Sequence, residues 1–105
     1  METPNFSYIN DLSGGDKEFE TQLFGILKEE LPKEKESYEN FIKEKKNEEA
    51  GQVVHKLKHK ISILGMEKSY VIADTYENNL RKGNTNLKEE FEILLQIITD
   101  FLEEN

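Results

Sequence analysis

Two histidines and the lysines beside them are the residues of this sequence best suited to chemistry. His55 and His59 are four residues apart, and Ser62 follows three residues later. This spacing puts all three side chains on one face of a helix, and Lys58 can reach the same patch. An exposed neutral imidazole is a nucleophile, and nearby lysines offset the charge of a phosphoryl group attached to it. These properties would suit a phosphoryl carrier, although the pattern alone is more typical of an ordinary surface histidine.

The charge distribution makes this patch unusual. The chain has 22 acidic and 14 basic residues and a net charge of -8, which disfavours binding to nucleic acid or to an anionic membrane surface. Around His55, however, the neighbours are basic, with no acidic residue among Lys56, Lys58, His59 and Lys60. We therefore expect a local basic patch that serves the histidine.

Composition excludes several other chemistries. Cysteine is absent, so neither a disulfide framework nor a thiolate site is available. The N-terminus does not resemble a signal peptide, and no apolar run reaches the length of a membrane span. These features predict a soluble, cytoplasmic protein, and the length of 105 residues predicts one domain over residues 1–105.

Helix signals set the elements that would position the histidines. Glycine and proline are scarce and helix formers are abundant, which predicts an all-α fold. A short N-terminal helix should bury Tyr8, Ile9 and Leu12 and end near the glycines at 14 and 15. One helix kinked at Pro32 is expected over 16–46, with two separate helices as the alternative.

Three further helices complete the predicted fold. Asn47 and Asn86 are candidate N-caps for the third and fifth helices, Gly65 is a candidate C-cap, and the fourth helix should span about 67–81. On the third helix, apolar residues recur at intervals of four and three: Ala50, Val54, Leu57, Ile61 and Leu64. We expect an antiparallel four-helix bundle with a short extra N-terminal helix.

The sequence also resembles a known family. The run His55-Lys56-Leu57-Lys58, followed by Gly65 ten residues after the histidine, is similar to the motif of histidine-containing phosphotransfer (HPt) domains. Segments 12–16 and 30–32 resemble HPt domains as well. The resemblance implies that His55 is the phosphoacceptor and that Lys58 is the positive group beside the phosphoryl. It also implies a polar Glu77 near His55.

The resemblance implies partners and a mechanism. A response-regulator receiver domain would present a phospho-aspartate and a magnesium ion, and His55 would attack in line. The donors and acceptors would be receivers, including one attached to a hybrid histidine kinase. The chain itself would need no cofactor, would not use ATP and would be a monomer. It departs from the family at His59, where a glycine is common.

Two other functions compete with the phosphocarrier. The chain could be a non-catalytic helical module that binds a receiver or a kinase. His55 and His59 could instead share a metal ion, which three nearby lysines and the lack of a third ligand disfavour. We therefore predict no metal site. For His59 and Ser62 the simplest expectation is a surface or supporting role.

Overall fold

The computed structural model describes residues 2–105, and within that range the chain is all-helical, with no strand. This confirms the predicted all-α class. The five helices are α1 (Ser7–Ser13), α2 (Lys17–Lys43), α3 (Asn47–Ile63), α4 (Glu67–Arg81) and α5 (Lys88–Glu104). Over the same residues, no helix combines the length and apolar character that crossing a membrane requires.

The second helix runs without interruption through Pro32, so the two-helix alternative is wrong. Asp16 caps its start, because the carboxylate accepts from the backbone N–H groups of Glu18 and Phe19 at 3.0 and 3.2 Å. The helix ends at Lys43, three residues before the predicted end. Lys45 has φ +60°, a left-handed conformation that an α-helix does not continue through.

Of the two predicted ends of α3, only the C-terminal one matches the structure. Asn47, the expected N-cap, is the first helical residue, and no side chain caps this end. At the other end Gly65 has φ +74° and donates its N–H to the Ser62 carbonyl at 3.0 Å. The N–H of Met66 donates to the Ile61 carbonyl at 3.2 Å. This pair of bonds is a Schellman motif, which favours glycine at its left-handed position.

The fourth helix matches its predicted span, and the fifth begins later than expected. Asn86 is not the cap of α5, which starts at Lys88 after Leu87 with φ +75°. The backbone of Asn86 is engaged elsewhere: its N–H donates to Asn84 Oδ1 at 3.2 Å, and its carbonyl accepts from Asn79 Nδ2 at 3.0 Å.

The first helix buries less than its sequence predicts. Ile9 is buried, but Tyr8 and Leu12 are 48% and 54% exposed. A two-turn helix lying on α2 can cover only one side of itself. Phe6, just before the helix, fills the space instead, with its ring centroid 5.5 Å from Phe24 and 5.1 Å from Phe101.

The core lies between the four longer helices. α3 packs against α2 and α4, and α5 also packs against α2 and α4. The apolar stripe predicted on α3 is fully buried. Tyr38 and Tyr76 are also fully buried, and their hydroxyl oxygens lie 2.7 Å apart. Tyr38 donates onward to Glu92 at 2.9 Å, so Tyr76 donates to Tyr38, and one chain of hydrogen bonds links α2, α4 and α5.

The N-terminal segment, residues 2–6, ties α3 to α4. Glu2 accepts from the backbone N–H groups of Lys68 and Ser69 at 3.1 and 2.7 Å, and thereby caps α4 from outside that helix. The N–H of Asn5 donates to the Leu64 carbonyl at 2.9 Å. The segment therefore satisfies backbone groups at both ends of the α3–α4 turn, which otherwise need water or another cap.

A matched pair of glycine substitutions tests this packing. A Cβ on Gly65 would lie 2.7 Å from the side chain of Asn5, whereas one on Gly83, which also has positive φ, meets nothing within 4 Å. Both substitutions by alanine add backbone strain of about 1–2 kcal/mol. We expect Gly65→Ala to lower the free energy of unfolding more than Gly83→Ala in urea titrations. Equal losses would contradict the close approach of Asn5.

A pH series tests the cap from Glu2. Burial raises the pKa of the Glu2 carboxyl, but the Ser69 and Lys68 N–H bonds outweigh it, and the pKa lies below its usual range. The carboxylate thus stabilises the fold above the ordinary glutamate pKa of about 4.3, and this contribution is lost as pH falls. Glu2→Gln should lower Tm at pH 7, and the difference from the wild type should shrink as pH falls below the ordinary glutamate range. A pH-independent difference would contradict an ionised cap.

Candidate functional site

The third helix presents His55, His59 and Ser62 on its exposed side, opposite the core. The stripe of apolar residues that includes Val54 and Leu57 fixes this orientation, because its burial against α2 and α4 leaves one direction for the histidines. The His55 side chain is 50% exposed. It is therefore accessible to a partner while its backbone is held by a packed helix.

The ring of His55 is oriented by Glu77 of α4. Its Nδ1 lies 3.2 Å from both carboxylate oxygens of Glu77, a side chain that is only 8% exposed. A carboxylate accepts hydrogen bonds, so this contact assigns the proton of the neutral ring to Nδ1 and the lone pair to Nε2. Among residues 2–105, no protein group hydrogen-bonds Nε2. The nucleophilic nitrogen is left free.

Glu77 is held in place by two cations as well as by His55. Lys58 Nζ lies 3.0 Å from Glu77 Oε1, and Arg81 Nε and Nη2 each lie 3.0 Å from Oε2. Burial raises the pKa of the Glu77 carboxyl, but the hydrogen bonds from Lys58, His55 and Arg81 outweigh burial, and the pKa falls below its usual range. Glu77 is thus an ionised, immobilised acceptor behind His55.

Lys58 is buried, whereas its spacing from His55 predicts that it reaches the exposed patch around that histidine. Its side chain is 9% exposed, and Nζ lies 2.8 Å from Asp74 Oδ1 as well as 3.0 Å from Glu77. Lys58 lies three residues after exposed His55 but also four residues after buried Val54, so it belongs to the edge of the packed face. Burial alone would lower the pKa of the Lys58 ammonium, but the hydrogen bonds to Asp74 and Glu77 outweigh burial. The pKa therefore lies above its usual value, and Lys58 stays charged.

The basic patch around His55 is also divided by the fold. Lys60 points to α2, where Nζ lies 2.9 Å from Glu30 and 3.0 Å from Glu34. Lys56 is exposed. Of the three lysines expected to surround His55, one is paired with α4 and one with α2. Sequence adjacency suggested one cluster because it did not reveal these acidic partners.

His59 lies directly beside His55. The two ring centroids are 5.0 Å apart, with the planes at 89°, and His59 is exposed. Ser62 continues the same exposed stripe one turn later. Neither side chain packs into the core, so both are available at the surface that includes His55.

Asp74 and Arg81 are site residues that were not predicted from the sequence, whereas the HPt resemblance implies Glu77 near His55. Asp74, Glu77 and Arg81 are spaced by three and four residues on α4, a pattern that predicts one charged face. Gly51 lies one turn before His55, and a Cβ there would come within 3.4 Å of Arg81 and 3.6 Å of the Glu77 carbonyl. Gly51 therefore marks the contact between α3 and α4, where an added Cβ would meet both groups at ordinary van der Waals distance.

Among residues 2–105, no three His, Cys, Asp or Glu side chains form a group that could hold a metal ion. Comparison with models of protein families, with curated proteins and with solved structures gave no match to this chain. An imidazole with a fixed tautomer and a free Nε2 can attack an electrophile or donate its lone pair to a cation.

The lysine pair Lys58 and Lys56 tests the charge arrangement. Lys58→Ala removes a buried cation from two carboxylates, so we expect it to lower the free energy of unfolding by about 1–3 kcal/mol. Lys56→Ala, on the exposed side, should change it by less than about 0.5 kcal/mol. Chemical denaturation of both variants at pH 7 is the measurement. Equal stabilities would contradict the buried position of Lys58.

Proposed function

We propose that this chain is an HPt phosphocarrier that accepts a phosphoryl group on Nε2 of His55 from a receiver phospho-aspartate and passes it to another receiver. The observation that carries the proposal is the exposed His55 ring whose Nδ1 lies 3.2 Å from the buried carboxylate of Glu77. The HPt-like motif from His55 to Lys58, with Gly65 after it, supports the same function.

The helix contacts support the bundle that this function requires. α2 packs against α3, α3 against α4, α4 against α5 and α5 against α2, so contacts close a ring of four helices. An antiparallel four-helix bundle with α1 as an extra N-terminal helix is consistent with that ring. In this arrangement His55 is on a rigid helix, which limits the positions that the nucleophile can adopt when a receiver docks.

The proposed transfer conserves charge and protons without a base on this chain. The Nε2 lone pair attacks the phosphorus, a nitrogen–phosphorus bond forms, and the bond to the aspartyl oxygen breaks, returning a carboxylate on the receiver. The proton on Nδ1 stays in place, so the phosphorylated ring gains positive charge. Glu77 offsets that charge at 3.2 Å, and the same steps in reverse deliver the phosphoryl group to the acceptor receiver.

Lys58 has a modified role in this proposal. Its ammonium is held by Asp74 and Glu77, so its first contribution is to keep Glu77 ionised and in position beside His55. Asp74 is half exposed, and Lys58 can stabilise the phosphoryl group directly only if Nζ leaves this carboxylate. In this proposal Lys58 mainly positions Glu77, and its contact with the phosphoryl group is a secondary role.

The proposed partners follow from the chemistry of the donor. They are receiver domains with their own bound magnesium ion, including that of a hybrid histidine kinase, and the carrier acts in the cytoplasm as a monomer without using ATP. Its surface around His55 carries His59 where the HPt pattern has glycine. The His59 ring, whose centroid lies 5.0 Å from that of His55, restricts the approach of a receiver to His55 from one side. This restriction favours some receivers over others.

Phosphotransfer assays test the proposal. The full chain is incubated with a panel of receivers labelled on aspartate, and we expect label that is acid-labile and base-stable on the wild type. His55→Gln should abolish the label because no other imidazole has the fixed Nδ1 proton. His59→Gln is the matched control, since it alters the neighbouring histidine on the same face, and it should retain labelling.

Three results would contradict the carrier function. One is an unlabelled wild type across the panel, which would leave a non-catalytic interaction module if the chain still bound a receiver. Another is full labelling of His55→Gln. The third is loss of label in His59→Gln with the fold intact, which would give His59 a direct role in the transfer that this proposal does not assign to it.

A further inference from the structure

We infer that His55 and His59 together form a two-histidine site for a divalent d-block cation, for which Zn²⁺ is the probe, with water completing the coordination. The proposal goes beyond the phosphocarrier function and explains the residue that the carrier does not need, His59. Its basis is the geometry of the pair, the charges around it and the carboxylate behind it.

The spacing of the two rings fits a shared cation. Their centroids are 5.0 Å apart on successive turns of α3. Two imidazoles bound to one tetrahedral zinc at Zn–N distances of about 2.0–2.1 Å have centroids about 5 Å apart. His59 is exposed, so its ring can rotate from the edge-on contact and turn a nitrogen lone pair toward Nε2 of His55 while His55 keeps its contact with Glu77. Histidines at i and i+4 form the core of several zinc sites for the same reason.

The surrounding charges oppose a cation less than the sequence suggests. The ammonium of Lys58 is neutralised by Asp74 and Glu77, at 2.8 and 3.0 Å. Lys60 faces α2 and is paired with two glutamates there. Lys56 is the remaining one of the three lysines near His55, and it is exposed and solvated. Repulsion between the patch and a divalent ion is therefore weak.

Glu77 supplies the support that metal-binding histidines usually have. A histidine ligand commonly donates its second N–H to a carboxylate, which fixes the tautomer and makes the binding nitrogen more basic. His55 has this arrangement already, with Nδ1 at 3.2 Å from both oxygens of an ionised Glu77. The Nε2 lone pair is thus prepared for a cation before the cation arrives.

The cation and the phosphoryl group would compete, because both use Nε2 of His55. Zinc would then inhibit the carrier, a consequence that rests on the proposed function. The zinc site does not rest on it, since binding is measured on the isolated chain.

Isothermal titration of the full chain with ZnCl₂, in a buffer without phosphate, tests the site. We expect one zinc per wild-type chain, and loss of that binding in His55→Ala and in His59→Ala. The double variant Lys56→His with His59→Ala is the matched control, because it keeps two histidines but puts them on adjacent positions that do not face each other. It should bind no better than the single variants. Glu77→Gln should weaken binding by roughly tenfold.

The proposal is overturned if the wild type binds zinc no better than either alanine variant, or if the adjacent-histidine variant matches the wild type. A second measurement addresses competition: stoichiometric zinc should block labelling of the wild type by a phosphorylated receiver and leave His59→Ala unaffected. If the wild type takes no label even without zinc, the carrier function fails while the titration still decides the zinc site.

Discussion

The buried carboxylate of Glu77 is the group on which the site depends. A lone carboxylate at 8% exposure would be costly, and three partners make it tolerable: Lys58, Arg81 and the Nδ1–H of His55. Glu77 in turn orients each of these partners. His55 acquires one tautomer and Lys58 is drawn into the seam between two helices. One ionised group therefore couples the stability of the α3–α4 pair to the chemistry of the exposed ring.

This arrangement requires α3 and α4 to approach closely and to stay in register. Gly51 lies at this approach, and a Cβ there would be in ordinary van der Waals contact with Arg81 and the backbone of Glu77. Register is set at the turn between the helices, where Gly65 ends α3 and the N-terminal segment bonds to both helices through Asn5 and Glu2. Asn5 and Glu2, fifty or more positions from the histidine in sequence, thus help to hold its acceptor in place.

Polar pairing also connects α3 to α2 on the other side. Lys60 contacts Glu30 and Glu34, so α3 is held by an ion-pair cluster on each flank and by apolar packing between them. Such clusters contribute less to net stability than apolar burial, because desolvation offsets much of the attraction. They specify which residues of neighbouring helices meet. The exposed stripe with His55 is what remains once both flanks are occupied.

The sequence by itself determined the all-helical class, the spans of α3 and α4 within a residue or two, the glycine stop at Gly65 and the exposed stripe that carries His55. These properties are local, since helix periodicity and backbone freedom depend on neighbours along the chain. The sequence alone failed at Asn86, whose backbone groups are bonded to Asn84 and Asn79 before the helix begins, and at Lys58, whose partners lie one helix away. Tertiary structure decided which charges meet and therefore which imidazole nitrogen is free. Pairings across helices depend on approach distance and register, and no local pattern encodes either.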